Sequence, residues 1–237
     1  MFKGLNAPEV ARNVGRRVKR GTRCYVFSSS KEPGVVHAME SHEELKRAML
    51  LDVDPRVQKF RDQPWTMDMD TGEIRASRSL FPKVAGRKRR FYTPDSECHL
   101  FGAGIHVVEV KQAHDDDSKY PVVAKLLGQH GYVFHMLTGT SITDTLLRNV
   151  LLLQRVKAEH FQKQIPALLD VLEQLAAKQD QWDFLELAER NPFGIFGVFV
   201  GLAYGIFSAD MSLDLIGSNA QVRAAHGDLT HLELGFV

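Results

Sequence analysis

Along this chain the hydrophobic pattern changes character near residue 139. Before it, apolar positions come in short runs rich in Val, Phe, Tyr and Trp, which predict strands at 23–27, 35–39, 57–60, 65–69, 73–80 and 132–137. After it, apolar positions recur at helical spacing and predict helices at 141–157, 161–178, 182–190 and 193–207, with short strands around Val222 and 232–234. Two helices interrupt the first half. One runs over 41–51, with Leu45, Ala48, Met49 and Leu51 on its apolar face. Ser41 and Glu44 have the S-x-x-E spacing of a capping box, in which Glu44 reaches back to the Ser41 backbone. The other opens on Asp115, Asp116 and Asp117, which suit a helix N-terminus, and closes at Gly128 and Gly131. Strand–helix–strand over this span implies a parallel crossover. The fold class is therefore α/β with a mixed sheet, followed by a mostly helical region.

Tight turns punctuate the strands. Residues 28–34 and Asp70-Thr71-Gly72 connect neighbouring strands, and 101–105, Phe-Gly-Ala-Gly-Ile, reads as a hairpin turn. Beyond that turn Glu109 and Lys111 are two apart, so a strand points both the same way. Pairing across the hairpin brings Asp95, in Tyr92-Thr93-Pro94-Asp95, beside them.

Composition adds limits. The chain has 237 residues, 44% of them hydrophobic, which is ordinary for a globular protein of one large or two smaller domains. Two cysteines, Cys24 and Cys98, are too few for a disulfide framework; they fit a reducing, cytoplasmic setting and read as small buried hydrophobes. Residues 1–20 lack the apolar centre of a signal peptide. The apolar run 192–207 is shorter than the ~20 residues a bilayer span takes, so it reads as a buried helix and no membrane contact is expected.

Charge changes the picture more. The net charge of +1 conceals two basic blocks. Residues 1–23 are net +6, as an amphipathic helix or arm, and 83–90 are net +5. Such blocks on an otherwise acidic chain point to a directed polyanion contact. Residues 138–237 are net −5, which fits a protein partner better than DNA.

Asp95 and Glu109 are candidate ligands of Mg²⁺, with Mn²⁺ as a substitute, and Lys111 a candidate cation beside a phosphate. A cross-strand ion pair explains Glu109 and Lys111 equally simply. His37, His106 and His135 lack metal-ligand spacing and read as structural.

Pro94-Asp95 with Glu109-Val110-Lys111 resembles the PD-(D/E)xK core of restriction-endonuclease-like nucleases. The order of the pieces before it (Ser41-x-x-Glu44, Asp54-Pro55-x-Val57, Gln63-Pro64, then Tyr92-Thr93-Pro94-Asp95) is similar to the TnsA family, the endonuclease subunits of heteromeric cut-and-paste transposons. The resemblance covers residues 20–140. It implies a restriction-endonuclease-like mixed sheet flanked by helices. It also implies a catalytic set of Glu44, Asp95, Glu109 and Lys111, with Glu44, Asp95 and Glu109 on the metal. Glu40, on the same helical stripe, is the alternative to Glu44. Gln63 would orient the site, touch DNA or serve as a strand-end hydrogen-bonding group.

The expected organisation is a basic arm at 1–22, an endonuclease domain at 23–139, and a helical, winged-helix-like domain at 140–237 that binds partners. Arg16, Arg17, Lys19, Arg20, Arg87, Lys88, Arg89 and Arg90 would hold the DNA backbone. The resemblance implies double-stranded transposon ends, a DDE-type transposase and an AAA+ ATPase regulator as partners. A stand-alone restriction-like or phage nuclease, or a non-catalytic DNA-binding assembly module, fits the same residues.

Overall fold

The computed structural model describes residues 11, 24–83, 86, 88–111, 118–138, 142–157, 162–217 and 220–236. The chain forms a mixed α/β structure with several sheets and two compact units. One unit takes in the described residues of Met1–Ala48 and Arg56–Ser141 with Phe236; the other takes in Met49–Pro55 and Ile142–Gly235. Arg16, Arg17, Lys19, Arg20 and Arg87, and the acids at 115–117, lie outside the described residues.

In the first unit β1 (Tyr25–Ser28) and β2 (Val36–Met39) form an antiparallel hairpin. Helix α1 (His42–Val53) follows, its residues up to Ala48 in this unit and those from Met49 in the other. Its start is a modified capping box. The Ser41 hydroxyl accepts from the Glu44 N–H at 3.1 Å, while the Glu44 carboxylate reaches one residue further back than expected and accepts from the Glu40 N–H at 3.2 Å.

The main sheet has four strands in the order β3 (Val57–Asp62), β7 (Ser96–Leu100), β8 (Gly104–Lys111), β9 (Tyr132–Thr138). β7 and β8 are joined by the turn at 101–103, where Gly102 has φ +71° and Gly104 φ +82°, a conformation that glycine adopts without steric penalty. β9 runs parallel to β8, reached through α2 (Tyr120–Gln129). This helix begins at Tyr120, with Pro121 in its first turn, rather than at the acidic run.

A smaller sheet, β5 (Ile74–Arg75), β4 (Thr66–Asp68), β6 (Phe91–Tyr92), lies earlier in the chain. The strand expected over 73–80 stops at Arg75, and Arg78–Leu80 form a 3₁₀ turn instead. The apolar count is too low to hold that stretch in a sheet: Leu80 is exposed. Trp65, Met67, Tyr92, Val107, Tyr120, Val123 and Leu127 make a core between sheet residues and α2.

The second unit packs α3 (Asp144–Val156), α4 (Ile165–Ala176), α5 (Phe184–Arg190) and α6 (Gly194–Ala203) around one apolar core that includes Leu153, Leu168, Phe184 and Phe199. A three-stranded antiparallel sheet, β10 (Gln181–Asp183), β12 (Gln221–Ala224), β11 (Phe207–Ala209), completes it. Two expected helices are thereby shortened. Trp182 is in β10, and α5 starts only after Asp183 caps it by accepting from the Leu185 and Glu186 N–H groups. The expected helix over 193–207 ends at Ala203, and Gly205 at φ +69° turns the chain into β11. Residues 230–232 form a 3₁₀ turn, not a strand. No helix among the described residues is long and apolar enough to cross a membrane.

Candidate metal and phosphate site

The register of the main sheet assembles the site. Asp62 pairs with Ser96, and Ser96 with Val108. One step beyond these pairs come Gln63 and Asp95, in bends just past the ends of β3 and β7, and Glu109 on β8; the Gln63 N–H bonds the Asp95 carbonyl at 3.2 Å. Asp95 itself sits in a bend between β6 and β7 rather than within a strand. Its Oδ2 accepts from the Val110 N–H at 2.9 Å, which ties the Pro94-Asp95 corner to β8.

Glu109 is 3% exposed. Two tyrosines hold its carboxylate: Tyr92 donates to Oε2 at 2.9 Å and Tyr120 to Oε1 at 2.8 Å. The Lys111 ammonium lies 3.4 Å from Glu109 Oε1 and over the Tyr120 ring at 5.6 Å from its centroid. Burial pushes the Tyr92 and Tyr120 hydroxyls up, and the neighbouring Glu109 carboxylate pushes them further. Both therefore stay protonated and donate. Burial lowers the Lys111 pKa, but Tyr120 and Glu109 outweigh it, and the group stays charged.

Asp95 is the strained member. Burial first, then the Glu109 carboxylate, push its pKa up to about 7; Arg47 and the Val110 N–H oppose this, and Glu44 adds to it. Two carboxylates repelling each other in a dry corner are a destabilising arrangement that a cation relieves. The Glu44 carboxylate adds to the field at Asp95 and is itself held by the cap and by the Ser41 hydroxyl at 3.0 Å. Glu40 acts instead on Cys24, whose thiol is raised by burial and then by Glu40. Among the described residues no three His, Cys, Asp or Glu side chains are grouped as a metal centre.

Behind Asp95 lies a buried polar network that the sequence pattern did not single out. Asp62 accepts from Arg47 Nη2 at 3.0 Å and Ser96 Oγ at 3.1 Å, and bonds His37 Nδ1 at 2.7 Å. His37 stacks on Phe60 at 4.4 Å between centroids. Arg47 is 0% exposed, yet its Nε and Nη1 have no hydrogen-bond partner among the described residues. The one available signal was Arg47 standing beside Ala48 in the apolar stripe of α1. Tyr120 had no signal at all, since nothing in spacing links it to Glu109.

The other candidates divide. Gln63 is buried next to Asp95 and donates its N–H to the Asp95 carbonyl at 3.2 Å. Lys88 is exposed. Arg89 lies 3.3 Å from the buried Asp68 and Arg90 3.0 Å from Asp70, so both spend part of their charge inside the unit. His106 and His135 stack and hydrogen-bond to each other at 2.8 Å. Cys98 is fully buried, whereas Cys24 is only half-buried and does not fit the expected buried role.

Compared with known proteins, the chain matches no protein-family model and no curated protein.

Proposed function

We propose that this protein is a Mg²⁺-dependent DNA endonuclease, with the first unit as its catalytic part. The observation that carries this reading is the convergence of Asp95, Glu109 and Lys111 at one end of the sheet, where two repelling carboxylates stand beside a fixed ammonium.

The donor set fits a hard divalent cation. Mg²⁺, or Mn²⁺ in its place, prefers carboxylate oxygens, and its charge would offset the burial and the Glu109 repulsion that together lift Asp95. Asp95 and Glu109 would hold it, with Glu44 joining once its carboxylate leaves the cap. When bound, the ion activates water and steadies the leaving oxygen of a phosphodiester. The protein's own contribution is positional. Tyr92 and Tyr120 orient Glu109 by donating to its two oxygens. Lys111, held between Glu109 and Tyr120, offers a fixed positive charge to the phosphate as negative charge develops. Lys88, the residues 12–23 and Arg87 supply backbone contacts to the duplex, with a smaller share from Arg89 and Arg90.

The ordered motifs make the TnsA-like subunit of a cut-and-paste transposase the closest functional reading. It would cut at the transposon 5′ ends while a DDE-type transposase handles the 3′ ends. The second unit, acidic and winged-helix-like, would serve an AAA+ regulator or the transposase, within the cytoplasm. The fold carrying the site would then be restriction-endonuclease-like.

The test is 5′-end cleavage of a transposon-end duplex with the partner proteins present. Asp95→Ala and Lys111→Ala should abolish it while leaving the partner's 3′-end cutting intact. Unchanged 5′ cleavage in either variant sinks the reading. Metal-dependent cutting by the purified chain alone would instead favour a stand-alone nuclease.

A further inference from the structure

Gln63 combines three features that ordinary packing does not explain. Its backbone is left-handed, at φ +45°, one of two non-glycine residues so placed among the described residues. Such a conformation is disfavoured for a residue with a Cβ and persists where the surroundings impose it. Both of its backbone polar groups are spent: the N–H on the Asp95 carbonyl at 3.2 Å, the carbonyl on the Ala11 N–H at 2.8 Å. The residue is 5% exposed, and its amide oxygen Oε1 is buried with no hydrogen-bond partner among the described residues. A buried acceptor left unpaired loses its hydration without compensation, which a natural structure tolerates where something else fills the role.

Position says what fills it. Gln63 follows the last residue of β3, and its N–H bonds the carbonyl of Asp95, the residue before β7. Glu109 follows Val108, the β8 partner of Ser96, so the three residues gather at the same end of the sheet. The buried Asp62 network with Arg47, His37 and Ser96 pins the end of β3, so this corner is held rather than free to relax.

We infer that the Gln63 side-chain oxygen is a further, neutral oxygen ligand for the divalent cation that Asp95 and Glu109 would hold. A neutral amide suits the position. Side-chain carbonyls are accepted by hard cations, and a third carboxylate at this corner would add, in the metal-free protein, to the repulsion already acting on Asp95. This assignment rests on the metal-dependent reading given above and extends it.

The experiment is Mn²⁺ titration of the full chain, following free Mn²⁺ by electron paramagnetic resonance, with thermal melts in chelator alongside. Gln63→Met keeps the bulk and removes the acceptor; it should weaken Mn²⁺ binding by roughly 10–100-fold, the range seen when metal-supporting groups are removed. Gln63→Gly removes the acceptor and the strain together. It should melt no lower than the parent in chelator, yet bind Mn²⁺ as weakly as the Met variant. Gln63→Glu, which restores an oxygen, should bind at least as tightly as the parent. Parent-like Mn²⁺ affinity in both folded Met and Gly variants overturns the role of Gln63 and leaves the nuclease reading intact. Failure of the parent itself to bind Mn²⁺, with Asp95→Ala indistinguishable from it, overturns both.

Discussion

The two units bury polar groups on different terms. In the second, the buried Asn149 donates to the Met211 and Leu213 carbonyls, and Asn191 ties together Leu187, Gly194 and Phe193. Asp54 accepts from the Gly235 N–H at 2.8 Å. Every one of these has a structural partner, and the surrounding core is apolar. In the first unit, buried Arg47, Gln63 and His37 each carry an atom with no hydrogen-bond partner among the described residues, and the half-buried Asp95 and buried Glu109 repel each other. A network half satisfied is worse for stability than an apolar core. Among the described residues the second unit holds one such unpartnered atom, His231 Nδ1, against several in the first. The first unit thus carries the denser set of local conflicts, and such conflicts concentrate where a protein meets a ligand.

The sharpest way to break this contrast is Asp95→Asn. Metal-dependent cleavage should fall by on the order of 100-fold or more as the charged ligand disappears. Apo stability should move the other way. The folded pKa of Asp95, about 7, lies above the ordinary value of 3.8. A raised folded pKa means that the group's contribution is fully present below the unfolded value and is lost as pH rises through the folded value. Asparagine escapes that loss. Melts in chelator should show the variant gaining on the parent from about pH 4 to about pH 7, with the gain level above that. A variant that melts lower than the parent at neutral pH would refute the electrostatic account.

Asp62→Ala should come next. It strands the buried Arg47 guanidinium and removes the acceptor of His37 and Ser96. Removing one partner of a buried ion pair costs about 3–5 kcal/mol, readable as a shift in the urea midpoint. Little change would mean that Arg47 finds another partner.

In the second unit the failure mode is steric. A methyl at Gly201 would overlap the buried Phe207 ring, so Gly201→Ala should destabilise by about 1–3 kcal/mol despite alanine's better helix propensity. A stabilised variant would show that this core repacks freely. Smallest of all, Ser41→Ala should cost ~1 kcal/mol by losing the cap of α1. It also frees the Glu44 carboxylate from the Ser41 hydroxyl, so Mn²⁺ affinity should hold or rise.

Much of the fold was legible because local chemistry decided it. The 101–103 turn with its glycines, the parallel crossover through α2, and the cap at Ser41 all follow from residues close in sequence. Misjudged stretches were those where neighbours in space outvoted periodicity. Trp182 and Phe207 continue helical apolar patterns, yet each joins β12 at an edge of the three-stranded sheet. The stretch after Arg75 alternates like a strand but has no partner to pair with beyond that residue among the described residues.

The same division holds at the candidate site. Sequence alone determined that Glu109 and Lys111 share a face, since a strand's period of two is a local property, and that a hairpin carries Asp95 back towards them. Only the tertiary structure decided the environment of those groups. The tyrosines that hold Glu109 come from 17 residues before it and 11 after it. Arg47 and Asp62 meet across 15 residues, and burial, which no short stretch controls, lifts Asp95 to about 7. Spacing along the chain sets which side chains can face one way; the dielectric and the partners they find there come from the whole fold.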